Sequence, residues 1–84
     1  MKHILLGVFD EPAGVTRWHI QRRYEDGNMP RIVQWCGRDW GWRFTGHEFS
    51  PPPKRYSSKH KARDALTRIL HHERELGLTG RRYG

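Results

Sequence analysis

Cysteine is nearly absent from this 84-residue chain: Cys36 stands alone, so no internal disulfide can staple the fold. That fits a reducing compartment. Long apolar runs are missing too. The longest is Ile4-Leu5-Leu6-Gly7-Val8-Phe9, closed by Asp10-Glu11-Pro12. It is too short for a membrane span or a signal-peptide core. The expectation is a cytoplasmic protein with no membrane partner.

Recognisable chemistry is also lacking. The six histidines and Cys36 show no C-x2-C or H-x3-H spacing that would aim two ligands at one metal. His71 and His72 are adjacent and diverge by about 100° on a helix. There is no glycine-rich phosphate loop and no paired-carboxylate motif. Cys36 with His19 or His47, and Asp39 near His47, are the only nucleophile–base combinations, and none sits in a known signature. The chain therefore reads as a binding protein and not an enzyme, with no cofactor, no metal and no small-molecule substrate.

What is present is positive charge, unevenly spread. The net charge is +7. Residues 1–53 carry a balance of +1 and residues 54–84 a balance of +6, by count of Lys and Arg against Asp and Glu. Four Trp, three Tyr and three Phe supply much of the apolar area. Large aromatics bury about 150–250 Å² each.

Residue periodicity predicts a small antiparallel sheet of three to four strands packed on one C-terminal helix, an α+β fold. Residues 3–9 read as a first strand and Pro12-Ala13-Gly14 as its end. Over 15–24 the alternation is clean. Trp18, Ile20 and Tyr24 share one face; Arg17, His19, Gln21 and Arg23 share the other. Glu25-Asp26-Gly27-Asn28 predicts a turn, followed by a strand over Arg31–Cys36 and another over Trp40–Thr45. Pro51-Pro52-Pro53 predicts a short extended rod. A helix follows, capped by Ser57 or Ser58, with Ala62, Ala65, Leu66, Ile69, Leu70 and Leu76 as its apolar stripe and Gly77 as its end. The domain is expected to span 1–78, with 79–84 a basic flexible tail.

Two groups of cations are candidate contacts for nucleic acid or for an acidic, nucleic-acid-handling protein complex. One surrounds the helix start: Lys54, Arg55, Lys59, His60, Lys61 and Arg63. Cations beside free helix N–H groups oppose the macrodipole yet suit an incoming anion. Arg81 and Arg82 in the tail extend this group. The other is the sheet's outer face, with Arg17, Arg23 and Arg43. Against this stands the plainer reading of a solvated surface, whose exposed charges are screened at little cost. Among the aromatics, Trp18, Trp40 and Trp42 align with Ile20 and Phe44 as core. Trp35, whose strand alternates poorly, is the expected exposed anchor.

The segments Arg17–Tyr24, Asp26-Gly27 and Tyr56-Ser57-Ser58 leading into Ala62-Arg63-Asp64-Ala65-Leu66 resemble, in pattern, the small DNA-binding module at the N-terminus of phage integrases. They cover about half the chain. The resemblance implies a three-stranded sheet backed by a helix, with Arg17, His19, Gln21, Arg23 and Arg43 reading the major groove. The segment 40–56 is longer than that module needs, and the charge excess lies away from the sheet. In size, aromatic content and lack of a catalytic motif the chain also looks like the small phage-encoded inhibitors of host defence, including anti-CRISPR proteins. That likeness implies binding to a host defence complex.

Overall fold

A computed structural model describes residues 1–25, 31–44 and 50–76. Four strands, β1 (Lys2–Asp10), β2 (Val15–Tyr24), β3 (Arg31–Trp35) and β4 (Trp42–Arg43), precede one helix, α1 (Lys59–Glu75). The sheet is an antiparallel meander in the order β1-β2-β3-β4. Short connections allow nothing else, since a parallel crossover needs a dozen residues or more.

The β1–β2 hairpin turns where Asp10, Pro12 and Gly14 foretell it. The Gly14 N–H donates to the Asp10 carbonyl at 2.7 Å, with Gly14 at φ 68°. A side chain there would be strained. Beyond β3 the chain coils more tightly than its alternation implies. Gly37 and Gly41 both take positive φ, Gly41 N–H donates to Gly37 O, and Cys36 N–H donates to Gly41 O. This turn consumes Trp40, so the expected strand over Trp40–Thr45 shrinks to the two residues of β4; Thr45 itself lies outside the described residues.

Two aromatic assignments are corrected as a result. Trp40 and Phe44, expected in the core, are 55% and 52% exposed. Trp35, expected to be exposed, is half-buried against the core and meets Trp42 edge-on at 5.2 Å between ring centroids. In the β3–β4 register Trp35 pairs with Trp42, so both fall on the helix side.

The helix starts at the expected serine. Ser58 has extended backbone, and its Oγ accepts the Lys61 N–H at 3.1 Å. Its stripe packs on the face of β2 that carries Ile20: Ile20, Ala62 and Ala65 form the buried cluster, flanked by Leu5, Trp18, Trp35, Trp42, Tyr56, Leu66 and Ile69. Small alanines let the helix approach the sheet, and the tryptophans fill the sides. Tyr56 forms an isolated bridge to Trp18, so the segment before the helix edges the sheet. The turn at 26–28 and the Gly77 end lie outside the described residues.

Inside this layer sits one charged group. Arg22, between Ile20 and Tyr24 on the apolar face, is 5% exposed. Its guanidinium donates to both carboxylate oxygens of Glu73, one at 3.1 Å, and its Nε donates to His3 Nε2 at 2.9 Å. Trp42 Nε1 donates to Glu73 at 3.2 Å, and the Arg22 guanidinium lies 4.1 Å from the Trp42 ring centroid. One cluster thus ties β1, β2, β4 and α1 together. Burial works against the Arg22 charge, but hydrogen bonds and attraction from Glu73 and Tyr24 outweigh it, and the pKa rises.

Candidate functional site

With the helix on one side, the opposite face of the sheet carries the alternate residues of each strand. On β2 these are Arg17, His19, Gln21 and Arg23, as the alternation predicts. The register sets Val8 beside Arg17, Leu6 beside His19, Ile4 beside Gln21 and Lys2 beside Arg23. On the other flank Ile32 lies beside Arg23, Gln34 beside Gln21, and Arg43 beside Gln34. A polar, cationic row therefore runs down the centre, bordered on β1 by the aliphatic Ile4, Leu6 and Val8 and on β3 by Ile32 and Gln34. No described helix or strand packs over it. At about 3.4 Å per residue, Arg17 and Arg23 stand about 20 Å apart.

The row opens at one end into a shallow cavity of about 380 Å³ lined by Val8, Asp10, Arg17, His19, Pro53 and Arg55, among others. The polyproline segment forms its wall and, by the bridge at Tyr56, directs Arg55 toward Arg17 and His19. Asp10 is the lone carboxylate there, 3.7 Å from Arg17 Nε. Arg17 Nε, His19 Nδ1 and Arg23 Nε are buried without a hydrogen-bond partner. Buried arginine N–H groups without partners are costly, so an anion that reached the two Nε groups after a shift of the side chains would recover that cost. Burial and the neighbouring Arg55 lower the His19 pKa, opposed by a hydrogen bond to the Lys54 backbone. His19 is therefore neutral near pH 7.

The candidate cations divide. Arg17, Arg23, Arg43 and Arg55 share the outer face, although Arg43 Nε is engaged with the Trp40 carbonyl at 2.8 Å. Lys59, His60, Lys61 and Arg63 belong to the helix on the opposite side and are exposed. Lys59 Nζ lies 5.8 Å from the Trp18 ring centroid, and His60 pairs with Asp64 at 3.3 Å. Lys54 donates its backbone N–H to Trp35 O at the sheet's margin. Arg81 and Arg82 lie outside the described residues. The helix-start cations and the sheet arginines are thus not one continuous patch.

Sequence reasoning did not single out Gln34 as a member of the site; the register does, by setting it beside Gln21. Cys36 Sγ donates to the Gln34 carbonyl oxygen at 3.4 Å. Its thiol is buried, and burial pushes its pKa up against the opposing influence of Arg43; a nucleophile needs the reverse. Among the described residues no three His, Cys, Asp or Glu side chains gather as metal ligands. No helix of the described chain is long and apolar enough to cross a membrane. Comparison with protein-family models, with curated proteins and with solved structures finds no match to this chain.

Proposed function

We propose that the protein binds double-stranded DNA through the outer face of its sheet. The observation that carries this reading is the row Arg17, His19, Gln21 and Arg23, extended by Arg55, on a face that no described element covers. Arginines held by strand geometry suit phosphates and guanine edges, and Gln21 and Gln34 suit adenine. The choice of duplex over single strand rests on the aromatics. Unpaired bases bind by stacking on Trp, Tyr or Phe. Trp18, Trp35 and Trp42 all lie on the helix side, and the central row itself carries no Trp, Tyr or Phe; among the described residues Phe9 alone of these types lines the cavity at its end. A groove contact needs no stacking platform.

Fluorescence-anisotropy titrations against duplex DNA, single-stranded DNA and RNA test the reading at two salt concentrations. Duplex should bind tightest, with affinity falling steeply as salt rises. Arg17→Glu with Arg23→Glu should weaken duplex binding at least tenfold, while Lys59→Glu with Lys61→Glu should weaken it far less. Equal affinity for all three nucleic acids, or loss confined to the lysine variant, contradicts the assignment.

A second reading, binding to a protein partner such as a host defence complex, draws on a different feature. Trp40 and Phe44 flank the short β4 and are largely exposed, and exposed aromatics of this kind anchor protein interfaces. Under that reading Trp40→Ala abolishes a salt-tolerant complex and the sheet arginines are dispensable.

A further inference from the structure

We infer that β1 is a self-pairing edge: two copies of the chain join through β1 in antiparallel register centred on Leu6, making one continuous sheet. The argument starts from where the backbone of β1 points. In an antiparallel pair each residue turns its N–H and C=O to the same side, and successive residues alternate. Trp18 spends both groups on Tyr56, on the side away from β1. Even-numbered residues of β2 therefore face away from β1. Their partners across the ladder, His3, Leu5, Gly7 and Phe9, turn their own N–H and C=O outward. Among the described residues nothing pairs with that edge.

Free edges of this length are usually blunted by proline, by an inward charge, by a bulge or by brevity. None of these is found here. The ladder runs unbroken from Lys2 to Asp10, and residues 3–9 hold no proline, Lys, Arg, Asp or Glu. Leu6, Val8 and Phe9 are 38%, 45% and 63% exposed.

The strand's own sequence selects its occupant. Outward-pointing odd residues must meet outward-pointing odd residues, which excludes every register centred between two residues. Of those left, the one centred on Leu6 pairs the whole strand. His3 exchanges hydrogen bonds with Phe9 of the second copy, and Leu5 with Gly7. On the outer face Leu6 meets Leu6, Ile4 meets Val8, and Lys2 meets Asp10 at both ends. Opposite charges directly across a ladder stabilise it. Shifting the centre to Leu5 or Gly7 breaks this match, setting Lys2 against Val8 or Asp10 against Ile4. Within one chain Lys2 and Asp10 make longer ion pairs, each at 3.7 Å, to Glu25 and Arg17, and Asp10 Oδ1 also accepts the Ala13 N–H at 3.5 Å. The two β2 strands of the joined sheet lie about 14 Å apart, three strand spacings, with their cationic rows on the same face.

This inference rests on the free edge and not on DNA binding, so it is tested with no nucleic acid present. Sedimentation equilibrium of the purified protein should show a concentration-dependent dimer. Leu6→Lys sets like charges on the two-fold axis and should yield a monomer with unchanged circular dichroism. Lys2→Asp should weaken dimerisation at least tenfold, and Lys2→Asp combined with Asp10→Lys should restore it. Under mild oxidation Leu6→Cys should cross-link between copies, because facing residues of a wide pair lie about 4.5 Å apart at Cα, within disulfide reach. Ile4→Cys, off the axis, should cross-link far less. A monomer at every concentration overturns the inference. So does a dimer that survives Leu6→Lys, or equal cross-linking from both cysteine variants.

Discussion

Arg22 and Arg23 are neighbours in the chain and face opposite sides of the same strand. Arg22 is held by Glu73 and His3 and stacked over Trp42, with its hydrogen-bonding capacity used within the fold. Arg23 has a buried Nε with no partner. One arginine is part of the core; the other has an Nε that the fold leaves unpaired. The difference shows that net charge is a poor guide to a binding face, because a cation committed inside the fold contributes little to recognition outside it.

Breaking the inner cluster should have the largest effect on stability. Glu73→Ala leaves the Arg22 charge buried and unpaired and should cost about 3–5 kcal/mol. Arg23→Ala should change stability by no more than about 0.5 kcal/mol. Urea unfolding of the two variants checks the contrast directly. Comparable losses would mean that Arg23 also serves the fold, and the outer face would lose its distinctness.

Gly7 sharpens the same contrast at the next level down. A Cβ built there meets two atoms of the Trp18 ring at 3.0 Å and Thr16 Cγ2 at 3.2 Å. The ring lies on the core side, packed against the Ile20, Ala62 and Ala65 cluster. Gly7→Ala should therefore destabilise by about 1–3 kcal/mol, the usual range for overpacking. Val8→Ala, one residue on and facing outward, should cost less. Thermal melts of the two variants measure the difference.

On the outer face the expected effects are on binding. Arg17→Ala and Arg23→Ala should each reduce the slope of log affinity against log salt by about 1 and leave the unfolding midpoint in place. An unchanged slope would place the phosphate contacts elsewhere.

Much of this organisation is legible in the residues. The alternation over 15–24 separates the two faces correctly because every second residue of a strand must point the same way. The helix and most of its apolar stripe follow from spacing, which leaves Ser57 and Ser58 both open as the cap. Leu76, expected on the stripe, is 56% exposed because it lies past the last turn that covers the sheet. The Arg22 cluster is harder to read because its partner lies 51 residues away. A signal was nonetheless available. Arg22 falls on the apolar face of β2, and Glu73 falls on the helix stripe four residues after Ile69 and seven after Leu66. Opposite charges on two facing apolar stripes are compatible only if they meet. The exposure of Trp40 was less accessible, since it depends on Gly37 and Gly41 both adopting positive φ, which residue type permits but does not require.

The smallest effect separates the faces by pH. Burial, with Arg22 beside it and Glu73 opposing, lowers the pKa of His3; burial and Arg55 lower that of His19. A base whose folded pKa lies below its unfolded value of about 6.5 gives stability that is full above that value. The stability is lost as pH falls through the folded pKa. Both histidines should therefore make the protein less stable on acidification. For binding they differ. A phosphate beside His19 favours its charged form, so duplex binding takes up a proton and strengthens as pH falls. His3, on the core side, sees no phosphate. His3→Gln, which keeps an acceptor for Arg22 Nε, should flatten the pH dependence of stability and leave that of affinity intact. His19→Gln should flatten the pH dependence of affinity. Anisotropy titrations and urea melts over the same pH series read the two profiles separately. An affinity profile unmoved by His19→Gln would place His19 outside the contact surface and shift that surface along the row toward Gln21 and Arg23.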